Sequence, residues 1–274
     1  MYGDYWKLDT LPFENNCDPQ FFYRGPSHEA AVLKLQYVVE QAKGAAVLVG
    51  GHGLGKTYVT RVVESELPES CRPVIRLLFP KLNAAETLGL IARRLGVDGA
   101  ACERAAGAAD LIGRFEDRMQ QLASEGAHPV LLIDDAHLMD TSDVLPALAM
   151  LLSASEVSGL GLSLILCGQP ELLPQVQRVP ALDQRVCVRT ALQAFSPTET
   201  TAYIQHRLAI CHLDQCMFDW DALQSLGKLS GGVPRRINQL CDLALLVGYA
   251  DELSVLSRGE IEAAAEELAH VSID

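Results

Sequence analysis

Gly50-Gly51-His52-Gly53-Leu54-Gly55-Lys56-Thr57 fills every position of the pattern GxxxxGK[ST]. An apolar run, Ala45–Val49, leads into it. A segment of helical period, Thr57–Leu67, leaves it and is stopped by Pro68. Strand, glycine-rich turn and helix in that order make a phosphate cradle. The glycines let the backbone curl until its N–H groups face phosphate oxygens, and the helix adds the partial positive charge of its N-terminus. Lys56 brings a flexible cation to the β- and γ-phosphates, and Thr57 offers a hydroxyl to magnesium. Gly50, Gly51, His52, Gly53, Leu54, Gly55, Lys56 and Thr57, with Tyr58 behind them, are therefore assigned to ATP with Mg2+. The alternative is a glycine-rich turn that merely contains GKT, and the flanking strand and helix count against it.

Working outward, short apolar runs alternate with longer segments of helical period, which is the pattern of a parallel sheet covered by helices. The expected strands are Ala45–Val49, Val74–Leu78, Val130–Ile133, Leu162–Leu166 and Val186–Thr190, each read as buried on both faces. Asn83 with Glu86 forms a capping box. Leu111, Ile112, Phe115, Met119 and Leu122 share one helical stripe, and Ser142 is placed to cap the helix that carries Leu145 and Leu148. After about residue 191 the strand signal ends. Ser196-Pro197-Thr198-Glu199 opens a helix, others follow Asp219, Pro234 and Ser257, and Gly231-Gly232 ends one of them. The expected organisation is α/β: a parallel five-stranded nucleotide-binding core over 1–190, with a small all-helical domain over 191–274.

Two further strand ends carry polar groups, and two arginines stand at the starts of later elements. Val130–Ile133 runs into Asp134-Asp135-Ala136-His137. Asp134 can hold the magnesium, and Asp135 can orient or deprotonate the attacking water. Leu164–Leu166 runs through Cys167-Gly168 into Gln169. Ligands of parallel sheets sit outside the carboxyl ends of the strands, so Gln169 can sense a γ-phosphate or place the water. Arg185, just before the last strand, suits an arginine finger reaching a neighbouring subunit's phosphate; Arg178 and Arg189 compete for that role. Arg235, at a helix start in the helical domain, can report on the phosphates. A surface ion pair is the plainer reading of Arg185, and an exposed helix-start residue that of Arg235.

The 274 residues carry a formal charge of −13. That balance disfavours non-specific attraction to nucleic acid or anionic lipid. No apolar run approaches the ~20 residues of a membrane span, and the acidic, aromatic start Met1–Glu14 is not a secretory signal, so the expectation is a cytoplasmic protein. The 8 cysteines include no CxxC pair. Cys211 and Cys216 with His212 between them lack zinc-site spacing, and buried free thiols are expected.

The chain resembles the AAA+ ATPases of the general secretion pathway protein A (ExeA) type. The resemblance runs nearly end to end: Tyr5-Trp6…Leu11-Pro12-Phe13, Asp18-Pro19…Phe22-Tyr23…Pro26-Ser27-His28-Glu29-Ala30, the phosphate loop, Asp134–His137, Gly168–Leu172, Gln184-Arg185-Val186, Tyr203–Leu208 and Gly231–Asp242. It implies a P-loop NTPase core with a helical lid, hydrolysing ATP at subunit interfaces in a ring such as a hexamer. In that frame Gln169 matches sensor 1, Arg235 sensor 2 and Arg185 the finger, and the N-terminal segment 1–40 is the adenine side, with Pro12-Phe13 to His28 against the base. Family members usually carry Asp-Glu where this chain has Asp134-Asp135. Aspartate is one methylene shorter, and misplacing a reacting group by about 1 Å can cost ~100-fold in rate, so slow hydrolysis or a nucleotide switch is implied. Secretion-type members often continue into a membrane segment and a peptidoglycan-binding domain, so for this chain a partner is expected to supply any envelope anchor.

The expected partners are further copies of the chain and a protein of a secretion or pilus-type machine, without direct membrane insertion. The competing reading is a transposition-type regulator similar to TniB or TnsC, forming ATP-dependent filaments on duplex DNA. The charge of −13 and the lack of a basic run speak against it.

Overall fold

The computed structural model describes residues 2–78, 81–97, 108–157, 159, 161–211 and 217–270. Backbone contacts gather the chain into two units. One comprises Ala30–Gly51 and Val59–Leu192, the other Met1–Glu29, His52–Tyr58 and Gln193–Asp274. The segment 1–40 is thus divided, its first 29 residues grouping with the helical part.

The α/β unit holds five parallel strands: β1 (Ala45–Val49), β2 (Val74–Leu77), β3 (Val130–Ile133), β4 (Ser163–Gly168) and β5 (Val186–Ala191). Their order is β2-β3-β4-β1-β5. In register, Leu131 lies beside Leu164, Val47 beside Leu166 and Ile75 beside Leu131. β1, β3 and β4 are buried along their whole length, as strands covered on both faces should be. β5 differs from its expected full burial: residues Cys187, Arg189 and Ala191 are exposed. It is an edge strand, and its alternation is that of a sheet face left partly to solvent.

Helix starts follow the local chemistry in most places. Asn83 and Glu86 close both halves of their capping box ahead of the helix Ala84–Arg94. Ser142 does not cap. The helix begins only at Val144, two residues on, and the Ser142 hydroxyl and N–H both donate to Asp140 Oδ1, at 2.6 and 2.7 Å, so the serine closes a turn ahead of the helix. Phe115, Met119 and Leu122 face the core with Ile91 and Leu145; the side chains of Leu111 and Ile112 lie outside the described residues.

The second unit is helical. Ser196 and Glu199 close a capping box before Pro197–Ile210, Asp219 caps Trp220–Ser230, and Gly231 ends that helix at φ 60°. Helices Pro234–Ala250 and Arg258–His270 complete the bundle. Its core takes in Trp6 and Phe13 beside Tyr203, Ile237 and Leu245. The indole N–H of Trp6 donates to Leu245 O at 3.0 Å. Arg207, 1% exposed, donates to the carbonyls of Pro12 and Glu14 and lies 4.7 Å from the centroid of the Phe21 ring. A buried guanidinium is tolerable only when so satisfied, and here it ties the N-terminal segment down.

Cys71, Cys167, Cys211 and Cys241 are buried free thiols, whereas Cys17 and Cys187 are exposed, contrary to expectation. Cys102, Cys216 and His212 lie outside the described residues. Among the described residues no helix is long and apolar enough to cross a membrane.

Candidate functional site

The glycines of the loop adopt the backbone that a phosphate cradle requires. Gly53 has φ +73° and Gly55 φ +90°, left-handed values that other residues rarely take. A Cβ on Gly53 would also stand 3.0 Å from Arg235 Cβ and 3.0 Å from Val233 Cγ1. The helix that follows begins at Lys56 and runs to Glu66, one residue ahead of the expected span. Lys56 is only 9% exposed, so its charge acts in a medium of low dielectric, where attraction to an anion is strong.

The loop is braced from outside. The Arg235 N–H donates to Gly53 O at 3.3 Å, so the start of the helix Pro234–Ala250 touches the loop through its main chain. The Arg235 side chain is exposed. Leu54 O accepts from the Nε2–H of His28 at 2.8 Å. The Tyr58 hydroxyl donates to Asp18 O, and its ring packs edge-on against Phe22 at 5.2 Å. Burial raises the Tyr58 phenol well above its ordinary range, so it remains a donor.

In the α/β unit, the polar groups expected at the strand ends are on one edge of the sheet. The Gly50 N–H donates to Gly168 O at 3.2 Å, and Asp134 N–H to Leu77 O at 3.0 Å. The carboxyl ends of β1, β2, β3 and β4 therefore lie side by side, carrying Gly50, Asp134 and Gln169. Asp134 is 8% exposed. Asp135 is exposed and left-handed at φ 47°, ψ 35°, a conformation that aspartate tolerates better than most residues. Gln169 Nε2 lies 2.8 Å from His137 Nε2, so the amide donates and the ring nitrogen accepts. His137 is thereby a neighbour that orients Gln169.

Arg185 is at the opposite edge. Its carbonyl accepts from Ala45 N–H, at the start of β1. Its guanidinium holds Glu156 at 3.1 Å and the Ala181 carbonyl at 2.7 Å. Five strand residues at ~3.3 Å each separate this edge from the carboxyl ends, which puts Arg185 out of reach of a phosphate at its own sheet's carboxyl edge. Arg189 pairs with Asp183 at 2.6 Å.

Arg76 is a candidate site residue that the motifs did not reveal. It is buried on β2, donates to Thr60 Oγ1 at 2.9 Å and to Glu64 Oε2 at 2.8 Å, and stands 3.5 Å from Asp134 Oδ2. A cation thus fixes the carboxylate that would face a metal. The available signal was one charge inside an otherwise apolar strand, Val74-Ile75-Arg76-Leu77. His28 and His137 stand in the quoted motif strings, but nothing in their spacing pointed to their partners, the Leu54 carbonyl and the Gln169 amide.

Each unit brings residues that fit part of a magnesium nucleotide: beside the helical bundle, a loop whose glycines hold left-handed φ ahead of a buried ammonium suits phosphates, and in the α/β unit a buried carboxylate held by Arg76 at a strand end suits a metal ion.

A family model described as "AAA domain" matches residues 39–176. The chain is 31% identical over 275 residues to the General secretion pathway protein A of Aeromonas hydrophila, covering 99% of this chain and 49% of that protein. It therefore spans about half the length of the curated relative. Among solved structures it is similar to Cdc6p of Pyrobaculum aerophilum, with TM-score 0.73, 15% identity and coverage of 95% of this chain and 71% of that one. It is similar also to the ORC2 protein of Aeropyrum pernix in ADPNP-ADP complexes, with TM-score 0.68, 17% identity and coverage of 94% and 71%. At such identities the likeness speaks for the fold alone.

Proposed function

The chain belongs to the AAA domain family, and from that premise we propose that it binds Mg-ATP through Gly50–Thr57 and hydrolyses it between neighbouring copies, as a motor or assembly factor of a secretion- or pilus-type machine. The observation that carries the nucleotide reading is the conformation of the loop, with Gly53 and Gly55 left-handed ahead of the buried Lys56. The machine is inferred from the name of the relative that matches 99% of this chain.

In this reading the loop amides and Lys56 bind the β- and γ-phosphates, and Arg235 approaches them from the helical unit. Thr57 and Asp134 would hold the magnesium ion, which when bound supplies positive charge to the phosphate oxygens. Asp135 orients the attacking water and accepts its proton. Gln169, held by His137, senses the γ-phosphate. Because Arg185 sits at the amino edge of the sheet, its finger role is assigned to a neighbouring copy's nucleotide.

Two variants test these roles. Asp135→Glu lengthens the carboxylate by one methylene and is expected to raise kcat at least ~10-fold, since distance errors of this order are worth up to ~100-fold. An unchanged kcat in steady-state assays would show that Asp135 does not limit turnover. Arg185→Ala is expected to leave nucleotide affinity within about twofold and to lower kcat ~10³-fold, the smaller end of the effect of an arginine finger. A variant that retains wild-type kcat at high protein concentration would move the finger to Arg178 or Arg189. Light scattering with and without ATP, beside a gel shift on duplex DNA, tests the setting. Growth in size with ATP and no DNA shift is expected; ATP-dependent, salt-sensitive DNA binding would transfer the chain to the transposition-type reading.

A further inference from the structure

A loop that turns its amides toward a phosphate turns carbonyls the other way, and those carbonyls need partners of their own. Gly53 O is met by the Arg235 N–H. Leu54 O is met by His28, whose ring is 3% exposed. A carbonyl can only accept, so His28 Nε2 carries a proton. Burial holds the His28 pKa below its ordinary value, against the opposing pulls of the Leu54 carbonyl and Glu199. The ring is therefore neutral at neutral pH, and Nδ1 is an acceptor 3.2 Å from Ser27 Oγ. Ser27 Oγ accepts in turn from Gln193 N–H at 3.4 Å. Phe195 at 5.0 Å and Phe22 at 6.3 Å between centroids pack the imidazole in place.

The consequence lies in one peptide plane. The C=O of Leu54 and the N–H of Gly55 belong to the same trans unit and point in opposite directions. Fixing the carbonyl on His28 fixes the Gly55 N–H on the other side. Gly55 follows at φ +90°, a conformation from which an unheld glycine peptide readily rotates away. We propose that His28 is a positioning residue of the phosphate loop: its Nε2–H holds the Leu54 carbonyl so that the Gly55 amide is already aimed at phosphate before nucleotide arrives. This rests on reading Gly50–Thr57 as the ATP cradle. It gives His28 a task different from contact with the base.

The test compares His28→Phe, which keeps an aromatic ring between Phe22 and Phe195 but has no donor, with His28→Gln, whose amide N–H can reach the same carbonyl. Affinity is read with a fluorescent ATP analogue and with ADP, and stability by melting without nucleotide. His28→Phe is expected to weaken both nucleotides about tenfold, the value of one lost hydrogen bond of ~1.4 kcal/mol, and to raise KM by more than it lowers kcat. His28→Gln should recover most of the affinity whatever its melting temperature. Wild-type affinity in His28→Phe, or equal weakening in both variants, would overturn the proposal. Lys56→Ala separates the two layers. If it binds nucleotide normally, the cradle reading itself fails. If it loses binding while His28→Phe binds as wild type, only the role of His28 fails.

Discussion

Lys56→Ala should lose nucleotide affinity by roughly 10- to 100-fold, the range set by hydrogen bonds to charged groups at about 1.5–3 kcal/mol. Hydrolysis should fall further, by ~10²- to 10³-fold, because a preorganised charge matters most where charge develops in the transition state. The ammonium stands at the first turn of the helix Lys56–Glu66 and is 9% exposed. Water screens it little, and the helix N-terminus favours an anion at the same place. The measurement is steady-state ATP hydrolysis over a protein concentration series, with equilibrium binding of a fluorescent ATP analogue. Specific activity that rises with wild-type concentration and vanishes in Lys56→Ala fits hydrolysis between copies. Binding without hydrolysis in the wild type would make the protein a nucleotide switch and Asp135 the residue to change next. Unaltered binding in the variant would remove the loop from the site.

Arg76→Met should be the most destabilising single change near the site. The guanidinium is 8% exposed and stands between Asp134 and Glu64, with Thr60 as a third partner. Methionine matches much of its volume but removes the charge that Glu64 and Asp134 share. Removing one partner of a buried ion pair costs about 3–5 kcal/mol. The lower end applies here, since the Glu64 side chain is 26% exposed and Arg76 Nε has no hydrogen-bond partner among the described residues. At ~2–4 °C per kcal/mol for a domain of this size, a drop of about 6–12 °C in Tm is expected. Adding Glu64→Gln should recover part of that loss, with a coupling of about 1 kcal/mol or more between the two changes. A second readout follows from Asp134. With its orienting cation gone, the magnesium dependence of analogue binding should change, which a purely structural pair would not produce. Denaturant melts and binding with and without magnesium check both. A Tm shift under about 2 °C would mean that the network contributes little to this fold, given the same conversion.

The sequence by itself determined the parts whose physics is local. The loop Gly50–Thr57, the apolar runs of β1 to β4, the capping boxes at Asn83 and Ser196, and the stop at Gly231 each depend on groups within a few residues of one another. Their hydrogen bonds and allowed φ values are therefore legible one segment at a time. The tertiary structure decided everything that required a distant partner. The strand order put β2 and β5 at the two edges, and the packing buried β2 while leaving alternate residues of β5 exposed. Ser142 closed a turn with Asp140, and the helix began two residues later. The first 29 residues packed with the helical unit, where Arg207 and Leu245 supply their hydrogen bonds. Arg76 met Asp134 from 58 positions away along the chain, and His28 met the Leu54 carbonyl from 26 away. Such pairings leave little trace in spacing, because a buried polar group must be satisfied but any correctly placed donor or acceptor will serve, and only the folded backbone chooses which one is within reach.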